Sequence, residues 1–377
     1  MSDRTTDSNR TGTRRVSRRA FLGTTGVASA LALAGCNGGG EGGSSNGEPA
    51  KPDSLIVRAW GGAWQENLNS EVAEPFTEET GIEIEFDNTS EEVMQGQIRT
   101  ALNQDRAPPV NVNWSTTLQS YKAADADLMV PLDTDEMTNL SGLLPAAQPD
   151  IGDAEWPFAS LYSYVYSLSY NTDEVDSAPA SWEELWGDGW SDGLGFYQGG
   201  TGFVPVLAEL AGEELDGDMS ATWDRLRDLS GNVGLIGEDD QLTTNLIDGE
   251  IAACTLIAAN TYNARQDDQP VDYTVPEEGA VAKRDAMYTP RGQEDNVIYW
   301  GQEFIDYSAK AEINGPWSEG LGVAPLHGDA EVPDWMAESE MFPTSEEQFN
   351  SMITVDPANY VENSSYWSSQ FNEITQS

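Results

Sequence analysis

The chain has 377 residues, of which 65 are acidic and 18 basic, with one histidine and a formal charge of −47. Such a charge excludes nucleic acid as a partner, because phosphate is repelled. It also disfavours a compact body in dilute buffer through self-repulsion, whereas at molar salt the Debye length is roughly 3 Å and the repulsion is screened. The carboxylates are scattered among apolar positions, as on a solvated halophile-type surface.

The first predicted element is a leader. Residues 1–35 carry six Arg and two Asp, and an apolar run over 20–34 is too short for the roughly 20 residues that span a bilayer. Basic, apolar and small-residue zones follow in signal-peptide order. Arg18-Arg19, followed by Phe21-Leu22, resembles a twin-arginine export signal, and Leu33-Ala34-Gly35-Cys36 resembles a lipoprotein box in which Cys36 is lipidated. A retained membrane helix is the alternative reading. Gly and Ser dominate 37–47, so 36–53 is expected to be a lipidated Cys and flexible tether. Beyond the leader remain 63 acidic and 12 basic residues, a formal charge of −51.

Next comes a folded body long enough for two domains. Leu55-Ile56-Val57-Arg58-Ala59-Trp60 reads as a buried strand. Trp64, Leu68, Val72 and Phe76 mark a helix, and Ile82, Ile84 and Phe86 alternate as a strand. Thr89-Ser90-Glu91-Glu92 opens a helix with Met94, Ile98, Ala101 and Leu102 on its apolar face, and Val110, Val112 and Trp114 alternate again. Strands beginning near 55, 82 and 110 with helices between them predict right-handed βαβ units and a parallel sheet.

Over 160–171, Tyr162, Tyr164, Tyr166, Leu168 and Tyr170 share one face and serines fill much of the other, which suits a long strand crossing between lobes. Ser181-Trp182-Glu183-Glu184 has the form of a capping box. Leu194-Gly195-Phe196-Tyr197 reads as a strand, and Gln198-Gly199-Gly200-Thr201-Gly202 leads into an apolar helix. Cys254, the one cysteine of the body, lies in an apolar strand and reads as core.

Several phrases in this order resemble the polyamine-type branch of solute-binding lipoproteins that serve ABC importers. They are Phe76-Thr77-Glu78-Glu79-Thr80-Gly81-Ile82, Pro179-Ala180-Ser181-Trp182-Glu183-Glu184-Leu185-Trp186, Ile247-Asp248-Gly249-Glu250-Ile251 and Val275-Pro276-Glu277-Glu278-Gly279. The resemblance covers about 54–326. It implies an α/β, two-lobed, type II periplasmic-binding-protein-like fold with two crossover strands and an interlobe cleft. The expected first lobe is 54–165 with 286–325, and the second is 166–285 with 326–377.

Open α/β sheets bind ligands at the carboxyl ends of their strands, which selects four places. After the first strand, Trp60 and Trp64 are either stacking faces or core, and Gly61 lets the backbone approach a ligand. After the third, Ser115 and Thr116 either grip a polar group or cap a helix; the resemblance aligns Ser115 with a pocket serine. In the third place, Gly199, Gly200 and Thr201 form either an anion-gripping loop at a helix start or a simple turn. The fourth gathers Asn260, Tyr262, Lys283, Arg284 and Asp285, and Tyr162 joins the set from the crossover strand.

The resemblance also sets a departure. Polyamine binders carry carboxylates in the loop that aligns with 198–203, and this loop has none. Asp285 alone matches a family acidic position, and Lys283 replaces a family aromatic. If Lys283 and Arg284 face the cleft rather than the surface, they favour an anionic or zwitterionic solute over a polycation.

The expected function is therefore a monomeric, surface-anchored binding protein that hands a small polar solute to a permease and its ATPase, with no cofactor or metal. The alternative is a secreted, carboxylate-dependent hydrolase of glycosidase type. A Ser–His–Asp device would have to use His327, the single histidine.

Overall fold

Five-residue strand Ser54–Arg58 (β1) pairs in parallel with Glu83–Asp87 (β2) and Val112–Thr116 (β3). The computed structural model describes residues 48–149 and 155–376. The leader, with Arg18, Arg19 and Cys36, lies outside them.

Between β1 and β2 the apolar residues repeat at a strict interval of four, which outruns the 3.6 residues per turn of an α-helix. The chain responds with Gly62–Leu68 as α-helix, a wider π turn at Asn69–Ala73, and α-helix again over Glu74–Thr80. The wide turn keeps Val72 and Phe76 on the buried face.

The crossover strand forms as Ala159–Asn171 (β4), buried along its whole length. Part of its serine face is satisfied inside the fold: Ser167 Oγ donates to the Leu256 carbonyl at 3.2 Å, and Ser169 and Thr261 hydroxyls are 2.7 Å apart, whereas the Ser160 and Ser163 hydroxyls are buried without a partner among the described residues. Leu194–Tyr197 (β5) runs parallel to Val233–Gly237 (β6) and to Ala253–Ile257 (β7). Val271–Thr274 (β8) pairs with β4. Val281–Tyr288 (β9) lies antiparallel to both β3 and β4, and the short Ala324–Pro325 (β10) also pairs with β4.

The sheet order is thus β2-β1-β3-β9-β4-β7-β5-β6. Parallel strands occupy both ends, and antiparallel β9 and β4 run between them, giving the two-lobed α/β fold with two crossover strands. The lobe boundaries expected at 165/166 and 285/286 fall inside β4 and β9. Leu55, Val57 and Phe76 pack at one end of the core and Phe196, Phe203 and Leu207 at the other. The long C-terminal helix Pro357–Thr375 packs Phe371 against Phe196 at 6.2 Å. Among the described residues no helix is long and apolar enough to cross a membrane.

Candidate functional site

A cavity of ≈ 360 Å³ opens where the ends of the sheet face each other. Glu91, Glu92 and residues 116–119 line one side; Tyr197, Thr201 and Tyr360 line the other; Tyr164 and Tyr166 of β4 and residues 281–284 of β9 lie between. A second concavity of ≈ 410 Å³ shares Glu92, Gln119, Thr201 and Tyr360 and continues to Gly199, Gly200 and Ser368. Together they form one groove between the helices that start at Glu91 and Thr117 and the loop after β5, roofed by the C-terminal helix.

Of the residues singled out from sequence, Thr116, Thr201, Lys283 and Arg284 line the first cavity, and Gly199, Gly200 and Thr201 line the second. Lys283 donates to the Tyr360 hydroxyl at 2.5 Å. Arg284 reaches the carbonyl of Ala146, with its guanidinium 5.6 Å from the centre of the Phe349 ring.

Three expectations about these groups need correcting. Ser115 and the Thr116 N–H are not open donors. Glu91, first residue of the helix Glu91–Asn103, accepts from Ser115 Oγ at 2.8 Å and from the Thr116 N–H at 2.5 Å, so the turn after β3 already holds an anion. The Gly199 N–H is also engaged, by Asn372 Oδ1 at 3.0 Å. The apolar helix begins only at Val204, capped by Phe203, so the glycines precede the helix terminus and its dipole rather than forming it.

Asp285 and Tyr162 sit behind the cavity rather than on it. Both are buried, and the Tyr162 hydroxyl donates to the Asp285 carboxylate at 2.6 Å. Burial pushes Asp285 up to about 7, against the pull of the Tyr162 hydrogen bond, and burial likewise raises Tyr162. Trp60 lies 4.7 Å over the Arg58 guanidinium and meets Trp114 edge-to-face at 4.5 Å, while Gly61 caps the helix Gly62–Leu68. Neither lines this cavity. Tyr262 stacks on Trp335 at 4.3 Å, and Asn260, on the same helix, is likewise outside the cavity wall. Each of these aromatic rings is used within its own neighbourhood.

Sequence reasoning missed Glu92, Tyr197 and Tyr360. Tyr197 ends β5, so the strand-end rule could have found it. Tyr360 comes from the C-terminal helix, 77 residues beyond Lys283, and carries no local signal. Tyr164 and Tyr166 were visible as a tyrosine face of β4, without a sign that the face looks into a cavity.

Neither His327 nor Cys254 lines the cavity, and burial pushes the Cys254 thiol well above its ordinary value. Among the described residues no group of His, Cys, Asp and Glu could hold a metal ion. The charged and aromatic lining comprises carboxylates on one side, tyrosines on the other, and the two β9 cations with the β4 tyrosines between them. That set can orient a small molecule with charge at both ends.

A family model described as bacterial extracellular solute-binding protein matches residues 71–344. No curated protein matches the chain. Among solved structures, the spermidine/putrescine ABC transporter substrate-binding protein PotD from Streptococcus pneumoniae is similar, with 20% identity and a TM-score of 0.72 over 86% of this chain and 100% of that one. The Atu4243-GABA receptor has 16% identity and a TM-score of 0.71 over 85% and 97%. MotA from A. tumefaciens B6, in complex with glucopine, has 17% identity and a TM-score of 0.67 over 85% and 99%. At these identities the likeness is one of fold.

Proposed function

The chain belongs to the bacterial extracellular solute-binding protein family, and from that premise we propose that it captures a small zwitterionic solute for an ABC importer. The observation that carries this reading is the charge arrangement of the cavity, with Glu91 and Glu92 on one wall and Lys283 and Arg284 on β9. A solute with an ammonium at one end and a carboxylate at the other would turn its amine toward Glu92 and its acid toward Arg284 and Lys283, with tyrosine rings covering its methylenes. Charge-assisted hydrogen bonds in such a groove give specificity. The structurally similar GABA receptor fits this choice, and the structurally similar polyamine binder supplies the contrast.

Closing two lobes over the solute draws on contacts made to both sides. The loaded protein, a monomer, would then meet a membrane permease with its ATPase. The leader supports export by the twin-arginine route and a lipid tie at Cys36 on the outer face of the membrane, with a surface suited to high salt. Cys36→Ser should release a folded protein into the medium; its retention in membranes would remove the lipid anchor from the proposal.

The test of ligand class is calorimetry at molar salt with γ-aminobutyrate, putrescine and succinate. The zwitterion should bind most tightly. Tighter binding of putrescine than of γ-aminobutyrate would overturn the reading, as would consumption of the bound solute.

A further inference from the structure

Lys283 holds its ammonium against two tyrosines that come from different parts of the fold. The nitrogen lies 5.3 Å from the centre of the Tyr166 ring, on β4, and 4.7 Å from that of Tyr360, on the C-terminal helix. It also donates to the Tyr360 hydroxyl at 2.5 Å. Both rings are braced. Tyr360 stacks on Trp367 at 5.6 Å, and Tyr166 meets Tyr164 and Tyr197 edge-on at 5.9 and 6.4 Å. Among the described residues Lys283 makes no salt bridge. Asp239 adds negative field at longer range, with its carboxyl pushed up to about 7 by burial and pulled back down by Lys283.

An ammonium held beside one tyrosine ring and on the hydroxyl of another, without a contacting carboxylate, has the surroundings of a bound cationic ligand. Here the cation belongs to the protein. We infer that Lys283 is the tethered occupant of a cation subsite framed by Tyr166 and Tyr360, and that it determines specificity by denying this end of the cavity to amine-headed solutes. The inference rests on the cavity's being the binding site. It assigns the solute's amine to the wall that carries Glu92, and it makes the β9 end of the groove a place where a free acid group meets a fixed positive charge.

Removing the tether should expose the subsite to a free amine. Lys283→Ala deletes three methylenes and the ammonium, which is the volume and charge of n-propylammonium. The thermal midpoint in molar salt should rise with n-propylammonium for Lys283→Ala. It should stay unchanged for the wild type and for Lys283→Met, whose apolar stem still fills the place, and propan-1-ol should move none of them. Equal responses from all three proteins, or none from a folded Lys283→Ala, would overturn the inference. A measurement on the wild type covers the case in which Lys283→Ala does not fold. With lysine labelled at the ε-carbon, the resonance lost in Lys283→Met should carry a ring-current shift that Tyr166→Leu and Tyr360→Leu each alter. An unshifted resonance would sink the subsite. The two readings separate cleanly. If γ-aminobutyrate fails to bind the wild type while Lys283→Ala takes up n-propylammonium, the zwitterion falls and the subsite stands. If γ-aminobutyrate binds while a folded Lys283→Ala ignores n-propylammonium, the zwitterion stands and the subsite falls.

Discussion

Glu91 Oε1 accepts both the Ser115 hydroxyl, at 2.8 Å, and the Thr116 N–H, at 2.5 Å. One carboxylate thereby ties the start of the helix Glu91–Asn103 to the end of β3 and fixes the cavity wall that Thr116 helps to form. Ser115 is fully buried, so without Glu91 its hydroxyl and the neighbouring N–H would lose their acceptor. Leaving buried donors unmet costs about 1–3 kcal/mol each. Glu91→Ala should lower unfolding stability by about 2–4 kcal/mol in urea titrations at molar salt, and Glu91→Gln, which keeps an acceptor oxygen, should recover part of that. An Ala variant as stable as the wild type would show that water replaces the carboxylate without cost.

Gly202 offers a second test, because it joins the loop after β5 to the tyrosine floor. It adopts φ +81°, in the left-handed region where a Cβ is strained, and a Cβ there would run into the Tyr166 ring. Gly202→Ala should cost about 1–3 kcal/mol of stability and weaken solute binding by displacing Tyr166 from the cavity. Calorimetry and thermal melts on the same preparation check both halves. Unchanged affinity in a destabilised variant would mean that Tyr166 moves without affecting the solute.

How the groove is assembled explains what its sequence disclosed. Alternation located β2, β3 and β4, and a continuous apolar run located β1, because a strand buries one face or both; the strand-end rule led to Thr116 and Thr201, which depend only on where a strand stops. Lys283 and Arg284 stood out because cations are scarce in this chain. The partners of these groups were not legible. Glu91 reads as a helix start, and nothing local says that its carboxylate turns back on residues 24 and 25 positions later. Asn372 reaches Gly199 across 173 residues, and Tyr360 reaches Lys283 across 77. Those meetings are set by how the C-terminal helix packs on the second end of the sheet, which no window of sequence contains.

Trp60 distinguishes strand-end logic from packing. The strand-end rule aims it at a solute, whereas in the fold its ring covers the buried Arg58 guanidinium and abuts Trp114. Arg58 is held there by the carbonyls of Thr89 and Trp114, each at 2.9 Å, and burial lowers its affinity for its proton. Trp60→Ala should therefore act on stability, by about 2–4 kcal/mol, and leave solute affinity within about twofold. An affinity loss beyond about tenfold with little change in unfolding would restore Trp60 to the ligand.

The buried Asp285–Tyr162 pair predicts a pH dependence with a definite sign. Burial holds Asp285 at about 7 in the folded chain, while an unfolded aspartate titrates near 3.9. Between those values the folded state keeps a proton that the unfolded state has lost. Raising the pH through this window therefore removes stability, and the penalty is complete above about 7. Its size is at most about 4 kcal/mol. Asp285→Asn keeps an acceptor for the Tyr162 hydroxyl, whose hydrogen bond is 2.6 Å long, but has nothing to ionise. The surface carboxylates titrate alike in both proteins, so the comparison cancels them. Melting curves of the two at molar salt should draw together or cross in favour of Asn as the pH rises from 4 to 7, then run parallel to pH 8. A difference that stays flat from pH 4 to 8 would mean that Asp285 ionises in the folded chain at its ordinary value, and that water or a cation reaches it behind the cavity.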